Sequence, residues 1–221
     1  MPLYKTIKPN NYTSIYVWKI EEPLDELAQD IALNDRSKSR LNSMKSELHQ
    51  RGFLSVRHLL KEAGYTDFDL YYTANGKPHL KEEKHISITH SFNFSAIIIS
   101  DVEVGIDVEK NREKIKIIQH KFINFERGFI HQDDDYIEQL TVIWGAKESL
   151  YKIYPHGGLT FKNDIDINSF QIADKKTTGY IKVKGWDKVY TIQFEQLENF
   201  TLVYALDNSK KKLNKYNERN H

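Results

Sequence analysis

The sequence predicts an α+β protein built as two similar halves, and two observations carry that reading. Helical text, a glycine and a run of short strands follow one another twice, each time over about 100 residues, although no convincing residue-level repeat accompanies the order. A content of 39% hydrophobic and 12% aromatic residues in 221 also fills a sizeable core. The boundary is expected near Asp101 to Glu103, giving lobes at 1–102 and 103–207 and a basic tail, NSKKKLNKYNERNH, at 208–221 that is expected to be solvated.

Taken in chain order, TSIYVWKI (Thr13 to Ile20) alternates like a strand, and EEPLDELAQDIAL sets Pro23 at a helix start. From about Ser39 to Glu62 apolar residues keep a helical period, with Gly64 as the stop. DFDLYYT, the turn ANGKPHL, HISITHS, FSAIIIS and VGIDVEK read as strands separated by Asn, Gly and Pro. The second half gives helical text from about Ile115 to Tyr154 and the break PHGG. The strands INSFQIA, GYIKVKG, KVYTIQFE and NFTLVYAL follow. Asp133, Asp134 and Asp135 read as the acidic start of a helix, drawn there by its exposed N–H groups.

Thirty-two basic against 31 acidic residues give a net charge of +1, which excludes nucleic-acid binding by bulk charge. There are no cysteines, so disulfides, thiolate metal sites and cysteine nucleophiles are excluded, and no serine stands in a G-x-S-x-G elbow. No apolar run approaches ~20 residues and MPLYKTIKPNNY lacks a signal-peptide core, so no membrane partner and a cytoplasmic location are expected.

The chemistry concentrates in VGIDVEK, Val104 to Lys110. Strand alternation puts Asp107 and Glu109 on one face, roughly 7 Å apart, with Gly105 leaving room for a close approach. That is either a solvated strand face or half of a divalent metal site. In TVIWGAKESLYKIY, Ile143, Leu150 and Tyr154 form an apolar stripe, and Glu148 and Lys152 stand four apart beside Trp144 and Lys147. The pair is either an exposed ion pair or, if that side packs on the Asp107/Glu109 face, the other half of an oxygen-donor site suited to Mg²⁺. Lys147 and Lys152 would then meet phosphate charge.

GIDVEK followed about 35 residues later by WGAKESLYK resembles the signature pair of the 4'-phosphopantetheinyl transferases, roughly G-[IV]-D-[IVL]-E and [FW]-x-x-K-E-[SA]-x-x-K. ANGKPHL and SITHSFNFSAI resemble the N-G-K-P turn and S-x-[ST]-H-S strand of the longer, surfactin-synthetase-activating type, so the resemblance spans about Asn75 to Lys152. It implies a two-lobed monomer, a pseudo-dimer with its active site in the cleft between lobes. It also implies transfer of the phosphopantetheine arm of coenzyme A to a serine of an apo acyl or peptidyl carrier protein, releasing 3',5'-adenosine bisphosphate. Asp107, Glu109 and Glu148 would hold Mg²⁺. Lys77, Thr89, His90 and Lys152 would bind coenzyme A, along with Arg51 on the 3'-phosphate, for which Arg40 and Arg57 are rivals. Asp107, Glu148 and Lys152 would carry the catalysis, with Glu148 or a water on the metal as the base. Glu126, in FINFE, corresponds to an acidic stretch of the family. A non-catalytic paralogue that binds coenzyme A or a carrier protein, and another Mg²⁺-dependent phosphoryl enzyme, are the alternatives.

Overall fold

Residues 3–207 are described by the structure, a computed structural model, and the chain divides into two units, Met1–Asp101 and Val102–His221. The tail at 208–221 lies outside the described residues. Among the described residues no helix is long and apolar enough to cross a membrane.

The first unit contains β1 (Leu3–Asn10), β2 (Thr13–Lys19), α1 (Leu24–Ala28), α2 (Asp35–Ser43) and α3 (Glu47–Glu62). β3 (Leu70–Tyr72), β4 (Pro78–Leu80), β5 (His85–Ser91) and β6 (Phe94–Ser100) complete it. Its antiparallel sheet runs β1-β2-β6-β5-β4-β3. Phe53, Leu54, Val56, Leu59 and Leu60 of α3 enter one core with Trp18, Ile86 and Ile97 of the sheet. The helix also meets β6 through a buried hydroxyl pair, Ser55 Oγ donating to Ser95 Oγ at 2.8 Å.

The single helix expected from Ser39 to Glu62 is two. Met44 is extended (ψ 123°), and the Gln50 amide donates to its carbonyl at 3.1 Å, so the carbonyls freed by the break are not left bare. The start of α2 is held by a buried ion pair, Arg57 Nε to Asp67 Oδ1 at 2.9 Å, with Asp67 also accepting from Ser37 Oγ and the Asn34 amide.

The second unit contains β7 (Val104–Lys110), α4 (Lys114–Ile118), α5 (Tyr136–Ile153), β8 (Ile165–Ile167), β9 (Lys176–Ile181), β10 (Lys188–Leu197) and β11 (Phe200–Asp207). Its antiparallel sheet runs β7-β11-β10-β9-β8. This is the order β2-β6-β5-β4-β3 of the first unit. Each unit is a strand, a long helix and a four-stranded meander whose last strand returns beside the first.

Two expectations fail here. The helical text from Ile115 to Tyr154 breaks after α4 into short 3-10 turns at Gln119–Lys121 and Phe125–Gly128 before α5 begins. INSFQIA is not a strand beyond Ile167. Asn168 spends its amide on Thr178 and Tyr180, and Gln171 and Asp174 close a capping box around a 3-10 turn.

Helix α5 rests on β7 and β11 with unusual closeness. A Cβ built at Gly105 would lie 1.9 Å from the Ser149 carbonyl oxygen, and one at Gly145 would lie 2.8 Å from Val203 Cγ2. Ser149 Oγ donates to the Val203 carbonyl at 3.3 Å across the same seam. Glycine is therefore required at 105 because helix backbone occupies the space of a side chain. Gly105→Ala should lower unfolding stability by about 1–3 kcal/mol or more, since backbone cannot move aside as a side chain can. Urea unfolding measures this; a loss below about 0.5 kcal/mol, the scatter of surface substitutions, would show that the helix is not seated this tightly.

Candidate active site

Along β7 the residues facing α5 are Gly105, Asp107 and Glu109, since the space beside Gly105 is filled by Ser149 and side chains alternate from there. Asp107 lies below the helix at Gly145, whose Cβ would stand 3.7 Å from Asp107 Oδ2. Two turns further along α5, Lys152 Nζ donates to the Ile106 carbonyl at 2.7 Å and to Asp107 Oδ1 at 2.9 Å. The lysine that spacing paired with Glu148 is thus bonded to the strand, and the exposed-pair reading of Lys152 gives way to a contact with Asp107.

Glu148 stands between these groups electrostatically. Burial first, then the Asp107 charge, pushes its carboxyl from 4.5 up to about 7; Lys152 opposes the shift and Glu109 adds to it. A carboxyl that feels two other carboxylates and is half-buried is a place of concentrated negative potential. Oxygen-only donors in such a field fit Mg²⁺ in kind, and Asp107, Glu109 and Glu148 are the residues that would hold it. Among the described residues, no group of three or more His, Asp or Glu side chains is already gathered to hold a metal ion.

Lys147 points elsewhere. It is fully buried, and Nζ donates to the carbonyls of Phe122 at 2.7 Å and Phe161 at 2.9 Å while pairing with Glu126 Oε1 at 2.7 Å. Burial pulls its ammonium below the ordinary value, against the Glu126 carboxylate. Glu126 in turn accepts from the Ile167 amide at 3.0 Å and the Asn124 amide at 3.2 Å. The phosphate role expected for Lys147 is therefore corrected: with three oxygens on a buried ammonium, it ties the Phe125–Gly128 turn and β8 to α5. Asp135 does take the first position before α5, but no side-chain bond caps the helix there.

Trp144, one turn before Glu148, is half-buried against Phe122 and Phe161 (ring centroids 5.2 and 5.3 Å), and the exposed Tyr151 adds a ring 5.7 Å from Phe161. A cavity of about 260 Å³ opens beside it, lined by Glu109, Arg112, Ile115, Ile118, Thr141 and Trp144 among others. Phe161 and Tyr151 carried no signal in the sequence beyond their aromaticity.

The remaining expected residues lie in the first unit. His90 is exposed at the end of β5, its ring against Gly52 of α3, where a Cβ would stand 3.1 Å from His90 Nδ1. Thr89 beside it is buried, and Lys77 is half-buried in the turn before β4, its amide donating to Thr73 Oγ1. Arg51, next to Gly52, reaches the Ile20 carbonyl at 3.3 Å with one terminal nitrogen. Arg57 is removed as a rival by its buried pair with Asp67, whereas Arg40 is exposed. His49, whose ring centroid is 6.3 Å from that of His90, is a neighbour that no sequence motif marks.

Residues 103–206 match the family model of the 4'-phosphopantetheinyl transferase superfamily, a span of just under half the chain. A search of the curated proteins finds no match. The match supports phosphopantetheine transfer in general, and Asp107, Glu109, Glu148 and Lys152 fall within it. Arg51, Lys77, Thr89 and His90 fall outside it.

The raised Glu148 carboxyl sets a pH dependence. The folded chain holds a proton that the unfolded chain releases between pH 4.5 and about 7, so this group's stabilising contribution is full below 4.5 and is lost as pH rises to about 7. In EDTA, the melting temperature of Glu148→Gln should gain on that of the wild type across this window and then stay level. A difference that does not change with pH would contradict the assignment.

Proposed function

We propose that the chain transfers the 4'-phosphopantetheine arm of coenzyme A to a serine hydroxyl of an apo acyl or peptidyl carrier protein, in a Mg²⁺-dependent reaction that releases 3',5'-adenosine bisphosphate. One observation carries the reading: within the matched region, β7 and α5 bring Asp107, Glu148 and Lys152 to one place. That place combines negative charge for a divalent ion with an ammonium for phosphate.

In this reading the serine oxygen forms a bond to the β-phosphorus of coenzyme A as the bond to the bridging oxygen breaks, and the bridging oxygen leaves on the adenosine bisphosphate. Such transfer needs alignment and neutralisation of charge more than covalent help. Mg²⁺, when bound, supplies positive charge against the diphosphate. Asp107, Glu109 and Glu148 would hold it. Glu148, with a carboxyl near neutrality until a cation arrives, is also suited to accept the serine proton. Lys152 neutralises charge developing on the bridging oxygen. Trp144, Tyr151 and Phe161, flanking Glu148 along and beside α5, offer the pantetheine arm an apolar wall. Arg51, Lys77, Thr89 and His90 of the first unit contribute to binding the phosphates.

Incubation with coenzyme A, Mg²⁺ and apo carrier proteins, followed by intact mass measurement, tests this. The expected result is a gain of one phosphopantetheine on a carrier serine, abolished in Asp107→Ala and slowed ~100-fold or more at saturation in Lys152→Ala. No gain on fatty-acid, polyketide or peptide-synthetase carriers would contradict the proposal.

A further inference from the structure

Asp107 is a carboxylate with only 7% of its side chain exposed, and it is bonded to Lys152, whose own side chain is 27% exposed. A buried carboxylate stays charged only beside positive charge. Lys152 meets that need with two bonds, to Asp107 Oδ1 at 2.9 Å and to the Ile106 carbonyl at 2.7 Å. Its ammonium thus sits on one of the oxygens proposed for the metal.

We infer that Lys152 is the internal counter-ion of the metal-free site and exchanges with the divalent cation, which takes Asp107 while the ammonium is released to meet substrate phosphate. The inference rests on the metal reading above. Charge repulsion favours the exchange, because a divalent ion on Asp107 repels an ammonium bonded to the same carboxylate. The fold allows the movement. Lys152 lies in the last turn of α5, partly exposed, on a flexible four-carbon stem. Lys147, five residues earlier on the same helix, is enclosed and bonded to three oxygens, so it has no such freedom. The two lysines of the motif therefore divide into one that is fixed and one that can be displaced.

Displacement makes the metal and the ammonium competitors, and competition is reciprocal. The full chain, labelled with ¹⁵N on lysine, should show a protected ammonium resonance that is missing in Lys152→Met. Titration with MgCl₂ without coenzyme A should remove that resonance at the midpoint of binding measured by calorimetry. Lys152→Met should bind Mg²⁺ about tenfold more tightly than the wild type, while Lys152→Arg, which keeps the charge, should stay within about threefold. A resonance that persists at saturating Mg²⁺, or a Met variant that binds no more tightly, would overturn the exchange and make Lys152 a fixed clamp between α5 and β7. Absence of any Mg²⁺ binding by the wild type would overturn the metal reading itself, and the exchange with it.

Discussion

The contact of the Ser149 carbonyl with the bare Cα of Gly105 sets the position of everything else in the candidate site. It draws α5 onto β7 until helix backbone fills the volume of a missing side chain, and Gly145 extends the same seam toward Val203 and Asp107. Only at that separation does Lys152 reach both the Ile106 carbonyl and Asp107. The same approach places Glu148 where burial, and then the charges of Asp107 and Glu109, raise its carboxyl. Small residues here are thus a condition for the charges to meet, and the apolar packing of Ile143 and Leu150 on the other side of α5 holds the helix down.

The helix turns successive residues by about 100°, so Lys147 and Glu148 face different neighbours although adjacent in the chain. Lys147 goes into the core, where Glu126 and two carbonyls surround it; Glu148 goes to the carboxylates of β7. A single short motif therefore serves folding through one residue and, in the proposed function, chemistry through the next. The buried ion pair is costly to desolvate, and four further contacts complete it: two carbonyls on Lys147, and the Asn124 and Ile167 amides on Glu126.

Much of this was legible in the chain. Alternation and short apolar runs bounded by Asn, Gly and Pro located β5, β6, β7, β10 and β11, β6 and β11 being buried on both faces, and the helical stripe located α5, which buries one face and repeats with the helical period. Gly105, and Trp144 beside the Glu148–Lys152 pair, made a close meeting of α5 with the Asp107 face one of two open readings, the other being an exposed pair. What local text did not show was partner choice. Lys152 bonds Asp107, 45 residues away, and Lys147 bonds Glu126, 21 residues away, and no periodicity reports such distances. INSFQIA misled because Asn168, Gln171 and Asp174 satisfy backbone and side-chain groups in a turn that imitates strand alternation. β1, with mostly exposed or half-buried residues, offered too little apolar pattern to be read at all. The shared strand order of the two units is likewise carried by topology, since their core residues differ.

The central claim is that the divalent ion belongs at the joint of β7 and α5. Mn²⁺ in place of Mg²⁺ broadens the resonances of nuclei near it, so a titration of the ¹⁵N-labelled chain locates the ion directly. The account predicts selective loss of amide signals from Gly105 to Glu109 and from Gly145 to Lys152. Broadening centred instead on Asp133 to Asp135, or spread over the surface without preference, would contradict it.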